Sequence, residues 1–136
     1  MRELKWRMWD KENNKWDYFV LASTVIYGNK LHKHLLNGDK PYPYTRSRDK
    51  TGKEIYDNNI VSWFWPAPWD EQQLIEMHGV VRWRGHMWIV DVIGIPDWFG
   101  LCDESNEKNI GLTIIGSAQE NPELLEAEYK QSEAGQ

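Results

Sequence analysis

Apolar and polar positions alternate with a period of two at the start of the chain. Leu4, Trp6 and Met8 are separated by Lys5 and Arg7, and after the polar run "DKENNK" the pattern resumes with Trp16, Tyr18 and Val20. That period is the mark of half-buried strands, so the segment is predicted as an opening β-hairpin. Asn29 then suits the cap of a short helix carrying Leu31 and Leu35 on one face, with Asn37-Gly38 as its stop signal. "KPYPYTRSRDKTGKE" is predicted as loop and turn, because Pro41 and Pro43 remove backbone donors and the stretch from Asp49 to Gly52 has turn chemistry.

From Ile55 the pattern becomes mostly strand. Ile60 to Trp65 is apolar and β-favouring, and Pro66 and Pro68 are expected to end it. Asp70 and Gln73 have the spacing of a capping box, which predicts a two-turn helix through Leu74 and Met77. "GVVRWRGHMWIVDV" reads as a second hairpin turning at Arg84-Gly85. "GIPDWFGLCDESNEKN" is too interrupted for regular structure, and "IGLTIIG" is a final strand. Asn121, Pro122 and Glu123 open a C-terminal helix, and the tail "QSEAGQ" should fray.

A chain of 136 residues with nine tryptophans suits one compact domain, or two small lobes, with an aromatic-rich core. No apolar run approaches the roughly 20 residues of a membrane span, and the charged start "MRELKWRMWD" is unlike a signal peptide, so no membrane association and a cytosolic location are expected. Cys102 is the only cysteine; it excludes an intramolecular disulfide and a cysteine-rich zinc site, and reads as a small buried or loop thiol.

The net charge of -5 conceals an asymmetry. Residues 1–53 hold 12 Lys+Arg against 6 Asp+Glu, net +6, and residues 54–136 hold 4 against 15, net -11. The halves are predicted as a basic N-terminal lobe with its hairpin (1–53), a β region with a C-terminal helix (54–130) and a tail (131–136). Complementary charges of this kind suit solvated or docked lobes, a head-to-tail oligomer, or a basic face for a phosphate backbone.

Motifs of catalysis are sparse. His32, His34, His78 and His86 have no metal-binding spacing, and no nucleophile elbow, phosphate loop or dinucleotide fingerprint occurs, so no metal and no cofactor are expected. Asp91, in the apolar setting "WIVDV", is the carboxylate to watch for a hydrolase, although the strand register favours its facing solvent. In "SWFWPAPW", Trp63 and Trp65 share a strand face and are expected to pack on Trp83 and Trp88. The competing reading makes Trp63, Trp65 and Trp69 a stacking platform beside the prolines, with Arg82 and Arg84 on phosphates.

Three pieces, "MRELKWRMWDKENNKW", "RDKTGKEIYDNNIV" followed by "GVVRW", and "IIGSAQENPELLE", together resemble the YopX family of small phage and prophage proteins. The family pattern has Gly-Asp before Ile-Val where this chain has Asn58 and Asn59, and it favours Asn and an aromatic after Gly116, where Ser117, Ala118 and Gln119 stand. The resemblance implies a mainly β protein with minor α content, a small SH3-like barrel beside the N-terminal hairpin, and expression in a bacterial host cytoplasm. It brings no catalytic or binding residues. The expectation is a non-enzymatic accessory protein that binds a protein partner or itself as a homo-oligomer, the alternative being a nucleic-acid-binding module that uses the basic half and exposed aromatics. A carboxylate-dependent hydrolase is the third reading.

Overall fold

The computed structural model describes residues 4–21, 28–101 and 111–125. It is mainly β, as expected, with ten elements in the order β1 (Leu4–Asp10), β2 (Lys15–Leu21), α1 (Gly28–Asn37), β3 (Tyr42–Arg48), β4 (Glu54–Tyr56), β5 (Asn59–Ala67), β6 (Asp70–Trp83), β7 (Trp88–Val92), β8 (Trp98–Gly100) and β9 (Thr113–Ser117). Residues 122–125 are also helical. The chain forms two compact units, Met1–Tyr44 and Thr45–Gln136, so the structural division falls ahead of the change in charge.

In the first unit β1 and β2 form the predicted hairpin, with Leu4 opposite Leu21 and Asp10 opposite Lys15. That register sets even residues of β1 across from odd residues of β2, and the two alternations therefore fall on opposite faces. Asp17 and Phe19 are the buried residues of β2, whereas Tyr18 is exposed, which corrects the expectation of an inward Trp16, Tyr18 and Val20. Phe19 stacks on Trp6 with ring centroids 5.4 Å apart. Arg7 is buried on the other face, its guanidinium 3.9 Å from the Trp16 ring centroid, a position that neutralises part of the cost of burial by cation–π attraction. β3 adds to β1 through Pro43 opposite Trp6 and Tyr42 opposite Arg7. A strand thus stands where a loop was predicted; Pro41 precedes it and Pro43 is near its start, where a missing donor is tolerated.

In the second unit a five-stranded antiparallel sheet has the order β8-β7-β6-β5-β9. Its buried cluster is Ile55, Val61, Trp63, Val81, Val90, Val92 and Leu112, with Trp65, Met77, Trp88, Phe99, Leu101 and Ile114 packed around it. The β6–β7 hairpin matches the sequence expectation, Trp83 facing Trp88. The SH3-like part of the fold expectation rests on the resemblance alone.

Three local predictions fail here. Asp70 to Met77 is strand, not helix, because Met77, Ile75 and Leu74 pair with Trp63, Trp65 and Pro66. β5 runs through Pro66 to Ala67, with a register shift at that point that accommodates the missing donor. The stretch after Gly94 contains β8, held to β7 by Asp91 opposite Trp98 and Val90 opposite Phe99. Cys102, residues 102–110 and the tail 131–136 lie outside the described residues.

Turns carry the signature stretches. Asp49 is buried and accepts hydrogen bonds at Oδ1 from the Thr51 amide (2.9 Å), the Thr51 hydroxyl (2.7 Å) and the Lys53 amide (3.0 Å), and at Oδ2 from the Ile114 amide (3.0 Å). Gly52, at φ +89°, closes this turn. Asn58 takes up φ 77°, the left-handed geometry that its short polar side chain tolerates. Asn59 accepts from the Tyr56 amide (2.7 Å) and donates to the Gly116 carbonyl (3.1 Å). Asn121 precedes the terminal helical turn as predicted, but its Oδ1 accepts from the Ser117 amide (3.3 Å) instead of an amide of that turn.

Gly79 sits where β6 crosses the core. A methyl group there would run into Val90 Cγ1 and come within 3.0 Å of the Trp63 ring and 3.1 Å of the Asp91 carbonyl. Gly79→Ala is expected to cost about 1–3 kcal/mol of overpacking, measured by urea denaturation followed through tryptophan fluorescence; a variant as stable as the parent would contradict this packing.

Candidate functional site

The first unit contains a pocket of about 430 Å³. One wall is the turn between β1 and β2, where the Asp10 carboxylate accepts from the amides of Glu12 (3.1 Å) and Asn13 (3.3 Å) and from Asn13 Nδ2 (2.8 Å). These bonds hold the Asp10 carboxyl below the ordinary carboxylate range, the Asn13 side chain contributing most. The other wall is one face of α1, formed by Lys30, Lys33, His34 and Asn37 at helical spacing.

His34 is the buried centre. Its Nε2 lies 2.8 Å from Asp17 Oδ2 and its Nδ1 2.7 Å from Asp39 Oδ2. An ionised carboxylate only accepts, so the arrangement favours the imidazolium, in which both ring nitrogens donate. Burial alone would lower the His34 pKa, but the hydrogen bonds it donates to Asp17 and Asp39, and the negative charges of those groups, outweigh burial and raise it. Gly38 makes the arrangement possible: at φ +70° it folds the chain back at the helix end, and the Asp39 amide reaches the His34 carbonyl (3.0 Å). Lys30 stands 3.4 Å from Asp17, and Lys33 2.6 Å from Glu12.

The helix agrees with the sequence, but it begins at Gly28, so Asn29 lies within it and is not its cap. Of the expected face Leu31 is half-buried, whereas Leu35 is 64% exposed and His34 takes the interior position. The sequence signal was weak. Asp17 is 17 residues away on a strand and Asp39 lies beyond the helix, so no local spacing joins them to His34.

The residues singled out from sequence do not form one surface. Trp63 is buried, and Trp65 packs edge-on to it with centroids 5.4 Å apart; both also meet Phe99. That agrees with a core placement for this pair and removes Trp63 from any stacking platform. Trp88 joins the core margin, but Trp83 stays half exposed against it, contrary to the expected burial. Trp69 is 70% exposed at the turn from β5 to β6, its Nε1 3.1 Å from Gln73 Oε1. Arg82 lies at the opposite end of the fourteen-residue β6 and Arg84 just beyond it. Arg82 is 3.6 Å from Asp91, and Arg84 lies over Trp98 at 4.5 Å. Asp91 faces solvent, as the register suggested.

Past the reach of β9 and β7, β5 and β6 continue as a two-stranded ribbon, one face of which carries Trp63, Trp65 and Met77 on the core. β9 pairs with β5 only over Asn59–Ser62, and β7 pairs with β6 only from Gly79. Phe64 and Leu74 are exposed on one ribbon face, with Trp69 at the tip. The charged residues of positions 63–77 are Asp70, Glu71 and Glu76, all acidic.

Among the described residues no group of three or more His, Cys, Asp or Glu side chains is arranged to hold a metal ion, and no helix is long and apolar enough to cross a membrane. A family model described as YopX protein matches residues 5–126. No curated protein matches the chain.

The His34 clamp contributes stability that is complete below the ordinary histidine value of about 6.5 and is lost as pH rises through the raised folded value. Amide hydrogen exchange of α1, corrected for intrinsic rates, should show easier opening as pH increases through that range. His34→Ala should destabilise the unit by about 3 kcal/mol, since it strands the buried Asp17 carboxylate and the half-buried Asp39 carboxylate, and should abolish this pH dependence. Opening that is independent of pH in the parent protein would contradict the clamp.

Proposed function

The chain belongs to the YopX family, and from that premise we propose a non-enzymatic protein-interaction module of phage or prophage origin, acting in the bacterial host cytoplasm, whose partner is a second copy of itself. The observation that carries this reading is the β5–β6 ribbon. Over positions 63–77 the two strands pair only with each other; one face packs Trp63, Trp65 and Met77 on the core, and the other face and the tip present Phe64, Leu74 and Trp69 to solvent at 59%, 60% and 70% exposure. A covering partner would remove that apolar surface at roughly 25 cal/mol per Å².

Charge supports a second copy as the partner. The ribbon's ionised groups are all negative, and residues 1–53 of another copy carry net +6. Such a contact joins different surfaces of two identical chains, a head-to-tail geometry. Aromatic residues flanked by complementary charge are also the usual composition of energetic centres in interfaces.

The competing readings find less support. His34, the most buried imidazole of the pocket, has both nitrogens engaged by carboxylates and is no ready base. Arg82 and Arg84 face Asp91 and Trp98, which weakens the case for a phosphate track on the second unit.

Light scattering over a range of protein concentrations at about 0.05 M and about 0.5 M salt tests the proposal, because screening separates the two conditions. A dimer or larger assembly that weakens at high salt is expected. Phe64→Ser with Leu74→Ser, substitutions at exposed positions, should weaken assembly at least about tenfold while leaving the circular dichroism unchanged. A monomer at every concentration and salt would end the self-association reading, and an assembly indifferent to the double substitution would end the role of the ribbon.

A further inference from the structure

The pocket of the first unit has a charge inventory that the clamp explains only in part. Its acids are committed. Asp17 and Asp39 hold the His34 imidazolium, Asp10 holds its own turn, and Glu12 is 2.6 Å from Lys33. Two of its cations are not. Lys11 and Lys15 line the same space with no side-chain hydrogen bond or ion pair among the described residues, while Lys30 lies 3.4 Å from Asp17 Oδ1, the oxygen that His34 does not use.

With His34 charged, the lining sums to +5 from Lys11, Lys15, Lys30, Lys33 and His34 against -4 from Asp10, Glu12, Asp17 and Asp39. The net +1 understates the local field, because the negative charges are turned towards fixed partners and the uncommitted charges are all positive. The frame is also rigid. Lys11 and Lys15 leave a turn fixed by three bonds to Asp10, and Lys30 leaves a helix tied to β2 through His34 and Asp17.

We propose that this pocket binds a phosphate-type oxyanion, held by Lys11 and Lys15 from the turn and Lys30 from the helix. A volume of about 430 Å³ falls in the usual range of ligand sites, about 300–1,000 Å³, and exceeds what a single phosphate needs. Ammonium groups on flexible stems serve as point charges for phosphate oxygens, and a dianion would balance the free lysines better than a carboxylate. The phosphate belongs either to a small molecule or to a nucleic-acid backbone; the recognising chemistry is the same. The proposal does not depend on the self-association described above.

The test is a titration of the full-length protein, labelled with ¹⁵N, by potassium phosphate, by pyrophosphate and by a short single-stranded oligonucleotide, each at constant ionic strength made up with chloride. Saturable shifts of the amides of Lys11 to Lys15 and Lys30 to His34 are expected with at least one of the three. Lys11→Gln with Lys15→Gln should weaken that binding at least about tenfold, whereas Lys50→Gln, in the second unit, should not change it. Saturation by the oligonucleotide, displaced by phosphate and weakened by salt, would support the site with a nucleic-acid backbone as the source. Saturation by phosphate or pyrophosphate without oligonucleotide competition would support it with a small anion. Absence of saturable shifts with all three, or shifts that survive the double substitution, would overturn the proposal.

Discussion

The second unit depends on one carboxylate. Asp49 gathers four hydrogen bonds, three from the turn that follows it and one from the Ile114 amide on β9. The last of these spans 65 residues of sequence, so a single side chain fixes both the β3–β4 turn and the position of the terminal strand. Burial would push its pKa up, but the Ile114 amide, the Thr51 hydroxyl and the amides of Lys53 and Thr51 outweigh burial and lower it. Asn59 repeats the device with neutral chemistry, joining Tyr56 to Gly116. The stretch "DKTGKEIYDNN" is therefore a set of backbone clasps.

That assignment separates the residues that make the fold from those left for partners. The first unit uses the same logic with a charged trio, Asp17, His34 and Asp39, which anchors α1 to β2. What remains unclaimed is exposed: the acidic apolar ribbon of β5 and β6, and the lysines around the pocket. Function in this family member is accordingly sought on surfaces, and the two surfaces differ in charge and chemistry.

Strands with a clean period of two were legible in the sequence. The β1–β2 hairpin and the β6–β7 hairpin appeared where Leu4 to Val20 and Val81 to Val92 placed them. The errors came from signals that are local while the outcome is not. Asp70, Gln73, Leu74 and Met77 satisfy a helix template, but pairing with Trp63, Trp65 and Pro66 is decided by β5. The leucine face of α1 looked like its buried side, yet the interior position went to His34 because two distant carboxylates supply its partners. Of the proposed binding residues, Trp69 retained its exposure and Trp63 lost it, since strand alternation tells which residues share a face but not which face is covered.

The central claim is that the signature turn is structural, and Asp49→Asn tests it most directly. The asparagine keeps the shape and one acceptor oxygen while removing the charge and placing a donor where one acceptor stood. Because the Asp49 pKa is depressed on folding, its contribution is present above the ordinary carboxylate value of about 3.9 and disappears as pH falls through the folded value. Urea unfolding of the parent and of Asp49→Asn should therefore differ by about 2–3 kcal/mol at neutral pH, and the difference should shrink on acidification below about pH 4. Equal stabilities at neutral pH would contradict the account.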